Sequence, residues 1–299
     1  MYFSGEKICL ITGANSGIGK AAAKELAKLG ATIILVSRNH TRGERTLAEL
    51  METTRSKKFY LFITDLSSQQ SIFNLANEIK IKFDKIDILI NNAGAYFSKR
   101  HFTIDGIEAT FAVNYLSRFL LTNLLAELIL KSSQGRIINV SGELHRKGKI
   151  NLRDIEFSKN YSGFKTFSQS RLIDIIFVYE LSRKLRNTKA TVNCLHPGFV
   201  ATNIIYNDPD MSWCKKILFK SISPFLKSPE EGAETVIYLA SSPEVTNVTG
   251  KYFIDKRCID TLPLTYNEEL AKQLWDISEK MIKVNVQKNS ILRKNFLMI

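Results

Sequence analysis

The sequence predicts an α/β fold: one doubly wound parallel sheet with helices on both faces. Three observations carry that expectation. Short β-branched runs alternate with longer amphipathic stretches, the runs are apolar at nearly every position, and a glycine-rich turn separates the first run from the first helix. Alternation at this spacing requires crossover connections, and uninterrupted apolar strands are strands buried on both faces.

Taken in order, Ile8–Thr12 is the first run, followed by a helical pattern over Gly19–Leu29. Thr32–Ser37 leads into a helix near Thr41–Thr54, and Phe59–Thr64 into Gln69–Phe83. Ile86–Asn91 precedes a long helix over Ile107–Lys131. Arg136–Ser141 is the fifth run, and a polar loop separates it from a helix over Phe164–Arg186. Ala190–Leu195 is the sixth strand, Pro229–Ala240 a helix and Lys251–Ile254 the last strand. With no linker and no repeat, residues 1–260 read as a single domain and 261–299 as a basic C-terminal extension.

Composition narrows the function classes. The 299 residues hold 44% hydrophobic and 24% charged side chains, which excludes a disordered chain. Cys9, Cys194, Cys214 and Cys258 lie far apart, without the spacing of a disulfide framework or a metal site, so a reducing compartment and no bound metal are expected. No run approaches the length of a spanning helix, and Met1–Lys7 lacks the pattern of a signal peptide. A soluble, cytoplasmic protein is expected. The net charge of +13 is concentrated, since Met211–Ser228 holds four lysines and Lys280–Ile299 five basic residues, neither with an acid. Solvated helix faces and a frayed tail are one reading, and peripheral contact with an anionic membrane is the other. No aromatic-basic interleaving suggests nucleic acid.

The first strand runs into Thr12-Gly13-Ala14-Asn15-Ser16-Gly17-Ile18-Gly19. Glycines at 13, 17 and 19 let the backbone turn tightly and approach a pyrophosphate, whose charge the following helix N-terminus favours. Asp65-Leu66 follows the third strand, Asn91-Asn92-Ala93-Gly94 closes the fourth, Asn114 sits inside Val113-Asn114-Tyr115, and His196-Pro197-Gly198 follows the sixth. In this order, over about residues 6–203, the motifs resemble the short-chain dehydrogenase/reductase family. The resemblance implies a Rossmann-type dinucleotide fold. Gly13, Asn15, Ser16, Gly17, Ile18 and Gly19 would line the cofactor turn, Asp65 and Leu66 would meet the adenine, and Asn91, Ala93 and Gly94 would hold the adenosine side. Pro197, Gly198 and Thr202 would face the nicotinamide.

Cofactor preference hangs on Val36-Ser37-Arg38-Asn39, which has no acid until Glu44. A carboxylate there would bind the ribose of NAD, whereas Arg38 can pair with a 2′-phosphate, so NADP(H) is favoured. NAD(H) is the alternative, with Arg38 stacked over the adenine.

Within the family the chain resembles retinol dehydrogenase-like members. Val113–Thr122 looks like their long helix, and Lys149-Ile150-Asn151-Leu152 with Tyr161 and Phe164 looks like their insertion before the active-site helix. The stretch 203–228 takes the place of their substrate-covering loop. This implies a lipophilic substrate or ligand, and a homodimer paired through the helices bearing Asn114 and Phe167.

The chemistry end departs from the family. Its Tyr-x-x-x-Lys pair reads Phe167 and Arg171 here, its strand-end Ser reads Gly142, and only Asn114 is retained among the four catalytic positions. Phe167 has no ionisable proton and Gly142 no hydroxyl, while Arg171 keeps a charge that can reach a ribose. The leading expectation is a pseudoenzyme that binds NADP(H) with a degenerate site. The alternatives are an NADP(H)-dependent oxidoreductase of a lipophilic alcohol or carbonyl with another proton donor, and a non-redox enzyme using the same cleft. Candidate donors are Tyr96, Glu143, His145, Ser168 and Ser170, whose plainer readings are cleft wall, solvated carboxylate, packing residue and other helix faces.

Overall fold

Alternate side chains of the first strand feed two separate apolar layers, which is the physical origin of the architecture. Leu10 enters one layer, and Cys9 and Ile11 enter the other. The computed structural model describes residues 3, 5–201, 204, 206–213, 217, 221 and 226–282. Its strands are β1 (Ile8–Thr12), β2 (Thr32–Ser37), β3 (Phe59–Ile63), β4 (Ile88–Asn91), β5 (Arg136–Val140), β6 (Thr191–His196), β7 (Tyr252–Ile254) and β8 (Arg257–Cys258). They form one sheet in the order β3-β2-β1-β4-β5-β6-β7-β8, parallel except for the last pair. The antiparallel β8 follows a tight turn in which Asp255 and Lys256 both have positive φ, 47° and 63°. Such turns usually carry glycine at the second of these positions, and Lys256 in its place hides the hairpin from a reading of the sequence.

Helices cover both faces. On one side lie α1 (Gly17–Lys28), α2 (His40–Thr54) and, after the covering loop, α6 (Pro229–Ser241). On the other lie α3 (Gln69–Lys82), α4 (Ala109–Leu130) and α5 (Gly163–Lys184). α1 starts two residues earlier than expected, because Gly17 and Gly19 are poor helix formers that mask its first turn. α4 is long and apolar enough to cross a membrane, yet 83% of its most apolar 18-residue window is buried inside the protein, as the core helix of this layer. Its turn Ala112–Leu116 is π-helical, and Asn114 sits within it.

The segment read as an extension beyond 260 is, as far as residue 282, part of the core. It contains α7 (Glu268–Met281), capped by the Asn267 side chain. Ala271, Leu274, Trp275 and Ser278 share one stripe at helical spacing and are buried. Trp275 packs 4.8 Å from the Phe119 ring of α4 and 5.9 Å from Phe177 of α5, and Ser278 meets the Tyr115 hydroxyl at 2.6 Å. The far end is tied down where Gln69 Nε2 donates to the Met281 carbonyl. α7 therefore lies across the two helices through which a homodimer was expected to pair. The basic tail from 283 onward, Thr202, and most of the lysine-rich stretch within 203–228 lie outside the described residues.

Candidate functional site

β1 is flanked by β2 and β4, so the strand order reverses there and a crevice opens beyond the strand ends. The turn after β1 is built for close approach. Gly13 has φ 66° and Gly17 φ 54°. A Cβ on Gly13 would stand 2.9 Å from the Ala93 Cα, and one on Gly19 would stand 2.6 Å from the Gly13 carbonyl oxygen. Ser16 is the N-cap of α1, and its hydroxyl makes no capping bond. Asn15 is half-buried, with its carbonyl accepting from Thr46 Oγ1, and the Ile18 side chain goes into the core.

The loop after β4 is bolted to this turn. Asn92 Nδ2 donates to the carbonyls of Thr12 and Gly13 at 2.9 and 3.1 Å, and Thr12 Oγ1 accepts from the amides of Asn92 and Ala93. Strand alternation sends the preceding Asn91 the other way. Its side chain is buried and donates to Asn139 and Thr122, away from the turn, and Asn92 is the neighbour whose side chain ties the loop to it. Sequence reading passed over Asn92 and Thr12, although the doubled Asn in the motif offered a choice of two.

Arg38 is exposed just beyond β2. Asn39 is spent capping α2, and Glu44 pairs with His40 at 3.3 Å. Asp65 Oδ1 accepts from the Ser67 amide and hydroxyl, and Leu66 packs half-buried against the core. Gly198 has φ 89°, beside the Pro197 turn that follows β6.

At the chemistry end, Ser162 caps α5 and places Phe167 and Arg171 one turn apart. The Arg171 guanidinium carbon stands 4.5 Å from the Phe167 ring centre, and its Nη1 donates to the Val140 carbonyl at 3.1 Å. Its Nη2 lies 3.0 Å from where a Gly94 Cβ would be, so Gly94 leaves the space that Arg171 fills. Burial, and next the Arg118 charge, pull the Arg171 pKa down to about 9, which still leaves a cation at neutral pH. Asn114 holds both sides of the Ala95 peptide, accepting from its N–H at 2.7 Å and donating to its carbonyl at 2.9 Å. It also donates to Ser170 Oγ, which donates to the Phe167 carbonyl.

Gly142 has φ 174°, extended backbone open to any residue. A Cβ there would meet nothing closer than Arg171 Cδ at 3.8 Å, so neither strain nor crowding requires glycine. The candidate donors mostly face elsewhere. Glu143 pairs with Arg146, and its other oxygen accepts from the Tyr252 hydroxyl. His145 is fully buried against the Tyr252 ring at 5.0 Å. Ser168 is buried, with no partner for its hydroxyl among the described residues. Tyr96 meets the Phe167 ring edge-on at 5.7 Å, and burial raises its pKa, so it keeps its proton.

Described residues of 203–228 are tied to the loop after β4. Buried Asp208 accepts from the Ser98 amide, Asp210 meets His101 at 2.5 Å and Lys99 at 3.4 Å, and Phe199, Trp213 and Ile217 stay exposed.

The family described as short chain dehydrogenase matches residues 7–212. Human (Homo sapiens) retinol dehydrogenase 14 is 41% identical over 290 residues, covering 92% of this chain and 86% of that protein. Human polyprenol dehydrogenase is 34% identical over 286 residues, covering 93% and 86%. Among solved structures, an uncharacterized protein from Mycobacterium paratuberculosis superposes with a TM-score of 0.75 at 27% identity, covering 93% of this chain and 94% of its own. The chain belongs to the short-chain dehydrogenase/reductase family of nicotinamide-dependent oxidoreductases, and within it is similar to the retinol dehydrogenases.

Proposed function

We propose that the protein binds NADP(H) across the glycine turn and is weak or inactive in ordinary alcohol–carbonyl hydride transfer. The residues present fit a dinucleotide: Gly13 and Gly19 leave the cradle that a Cβ would fill, and α1 opens without a side-chain cap. Exposed Arg38, with no acid beside it, supports the 2′-phosphate form. When bound, the nicotinamide supplies the hydride. This chain's part would be to move a proton at the substrate oxygen, and the observation that carries the reading is the Phe167–Arg171 contact. A phenyl ring stands against the guanidinium where the family's phenol stands against an ammonium, and Gly142 offers no hydroxyl. Losing acid–base help costs roughly 100- to 10,000-fold in rate. The test is a fluorescence titration with NADPH and NADH, followed by hydride-transfer assays on retinoid, steroid and aliphatic carbonyls. Binding with negligible turnover is expected, and absence of binding to either nucleotide would overturn the reading.

A second reading is favoured by Tyr96 at the edge of Phe167 and by relatives named for retinol and polyprenol, both lipophilic alcohols. Here Tyr96 donates the proton. Robust turnover of such substrates that disappears in Tyr96→Phe would establish it. Exposed Phe199, Trp213 and Ile217, beside the lysines of 211–228, also support peripheral contact of the cleft mouth with an anionic membrane. Co-sedimentation with anionic but not neutral liposomes, weakening with salt, checks that contact.

A further inference from the structure

Three ionisable side chains are buried together behind the cleft wall: Arg118 on α4, and Arg171 and Asp174 on α5. Arg118 Nη1 donates to Asp174 Oδ2 at 2.7 Å, and Nη2 donates to the Ala93 carbonyl at 2.9 Å. Asp174 Oδ1 accepts from Asn139 at 2.7 Å, and Asn139 Oδ1 accepts from Asn91 at 2.9 Å. The bonds therefore form a ring. It leaves the end of β4 at Asn91, crosses β5, α5 and α4, and returns to the same loop two residues later.

Asn91, Asn139 and Asp174 are at most 1% exposed, and Arg118 is 2% exposed. A buried ion pair is a poor source of stability, because desolvation offsets most of its attraction. Its geometry is more informative. The guanidinium fork spends one arm on a fixed carboxylate and the other on a backbone carbonyl, a division that a single ammonium cannot reproduce. The Ala93 amide is meanwhile held from the opposite side by Thr12 Oγ1 at 3.0 Å. Both ends of that residue's backbone are thus fixed, one to the glycine turn and one to Arg118.

We propose that Arg118 is a positioning residue for the nucleotide: braced by Asp174, it clamps the Ala93 carbonyl and holds the 91–95 loop against the glycine turn. This rests on the nucleotide-binding reading above, and one of its tests does not depend on that reading.

Arg118→Lys keeps the charge opposite Asp174 and gives up the Ala93 carbonyl. In the unliganded protein, hydrogen exchange of the amides in 92–96 is expected to rise about tenfold, with exchange elsewhere and the melting temperature near the parent's. NADPH affinity is expected to fall by about the same factor. Asp174→Asn does the reverse: Arg118 keeps the carbonyl but loses its counter-charge, so the melting temperature drops while exchange in 92–96, measured well below the transition, stays put. A purely structural pair would move both quantities together in both variants. Parent-like exchange in 92–96 of Arg118→Lys, or a rise spread evenly over the chain, overturns the proposal. If Asp174→Asn does not fold, Arg118→Lys decides alone. A parent that binds neither nucleotide removes the nucleotide reading, and the exchange measurement still tests the clamp.

Discussion

The two ends of the cleft have been treated oppositely. At the nucleotide end, small residues are forced by space: a Cβ on Gly13 or Gly19 would press on backbone atoms within 3 Å. At the chemistry end, Gly142 sits in extended backbone where a Cβ would make only ordinary contact with Arg171, and nothing among the described residues requires it to lack a side chain. Glycine at the first place is a demand of the fold. At the second the fold leaves the choice open, and on the function proposed above glycine there is a chemical loss, beside Phe167 and Arg171 packed on each other. On the function proposed above, a protein that keeps the demanding end and relaxes the permissive one would keep binding and let go of proton transfer.

The strongest way to break that comparison is to rebuild the permissive end. Gly142→Ser, Phe167→Tyr and Arg171→Lys together are expected to raise hydride-transfer turnover at saturating NADPH by roughly 100-fold or more over the parent. Phe167→Tyr alone should do little, since groups that act as a unit are strongly non-additive. The structure makes Gly142→Ser safe, because φ 174° carries no penalty for a side chain. Parent turnover that is already robust and indifferent to all three changes would place the proton elsewhere.

The demanding end breaks in the other direction. Gly19→Ala puts a methyl 2.5 Å from Asn92 Nδ2 and 2.6 Å from the Gly13 carbonyl oxygen. Overpacking of this kind costs about 1–3 kcal/mol, so NADPH affinity should fall roughly 10- to 100-fold in titration. Unchanged affinity would mean that the nucleotide does not use this turn.

Legibility in the sequence follows the same divide. The strand-turn-helix around Gly13, the exposed Arg38 and the Phe167/Arg171 substitution are contiguous in the chain and were readable there. Arg118 and Asp174 are 56 residues apart, and each alone is an ordinary charge on a helix; only packing α4 against α5 makes them a pair. Asn92 was hidden because choosing between two adjacent asparagines needs the register of β4. α7 was passed over inside the 261–299 extension, because its stripe at 271, 274, 275 and 278 is short and lies among charged residues.

A smaller effect sharpens the cofactor half of the comparison. Arg38→Ala should weaken NADPH by on the order of tenfold and leave NADH nearly unchanged, because only the former carries the 2′-phosphate. Equal affinities of the unmutated protein for both nucleotides would remove the preference.

The smallest expected effect concerns acidity, and it belongs to the chemistry end alone. His145 lies in the turn just after Gly142, with Nδ1 2.9 Å from the Gly142 carbonyl. A carbonyl can only accept, so Nδ1 is the protonated nitrogen, and Nε2 is left buried without a partner among the described residues. Protonation would bury a charge there. Burial accordingly lowers the His145 pKa below its ordinary 6.5, against weaker upward pulls from the Gly142 hydrogen bond and the Glu143 charge, with Arg146 adding a further downward pull. The unfolded chain therefore binds more protons than the folded one as pH falls, and stability rises with pH through this window. The contribution is fully present above about pH 6.5 and is lost as pH drops below it. His196 is lowered by burial too and acts with the same sign, whereas Glu108, raised by burial, acts with the opposite one. Comparing His145→Phe with the parent isolates the one term. Urea midpoints of the unliganded protein at pH 7.5 and 5.5 should show a smaller drop in the variant than in the parent. Identical drops would mean that His145 is not held neutral, and that the relaxed end carries no buried titration of its own.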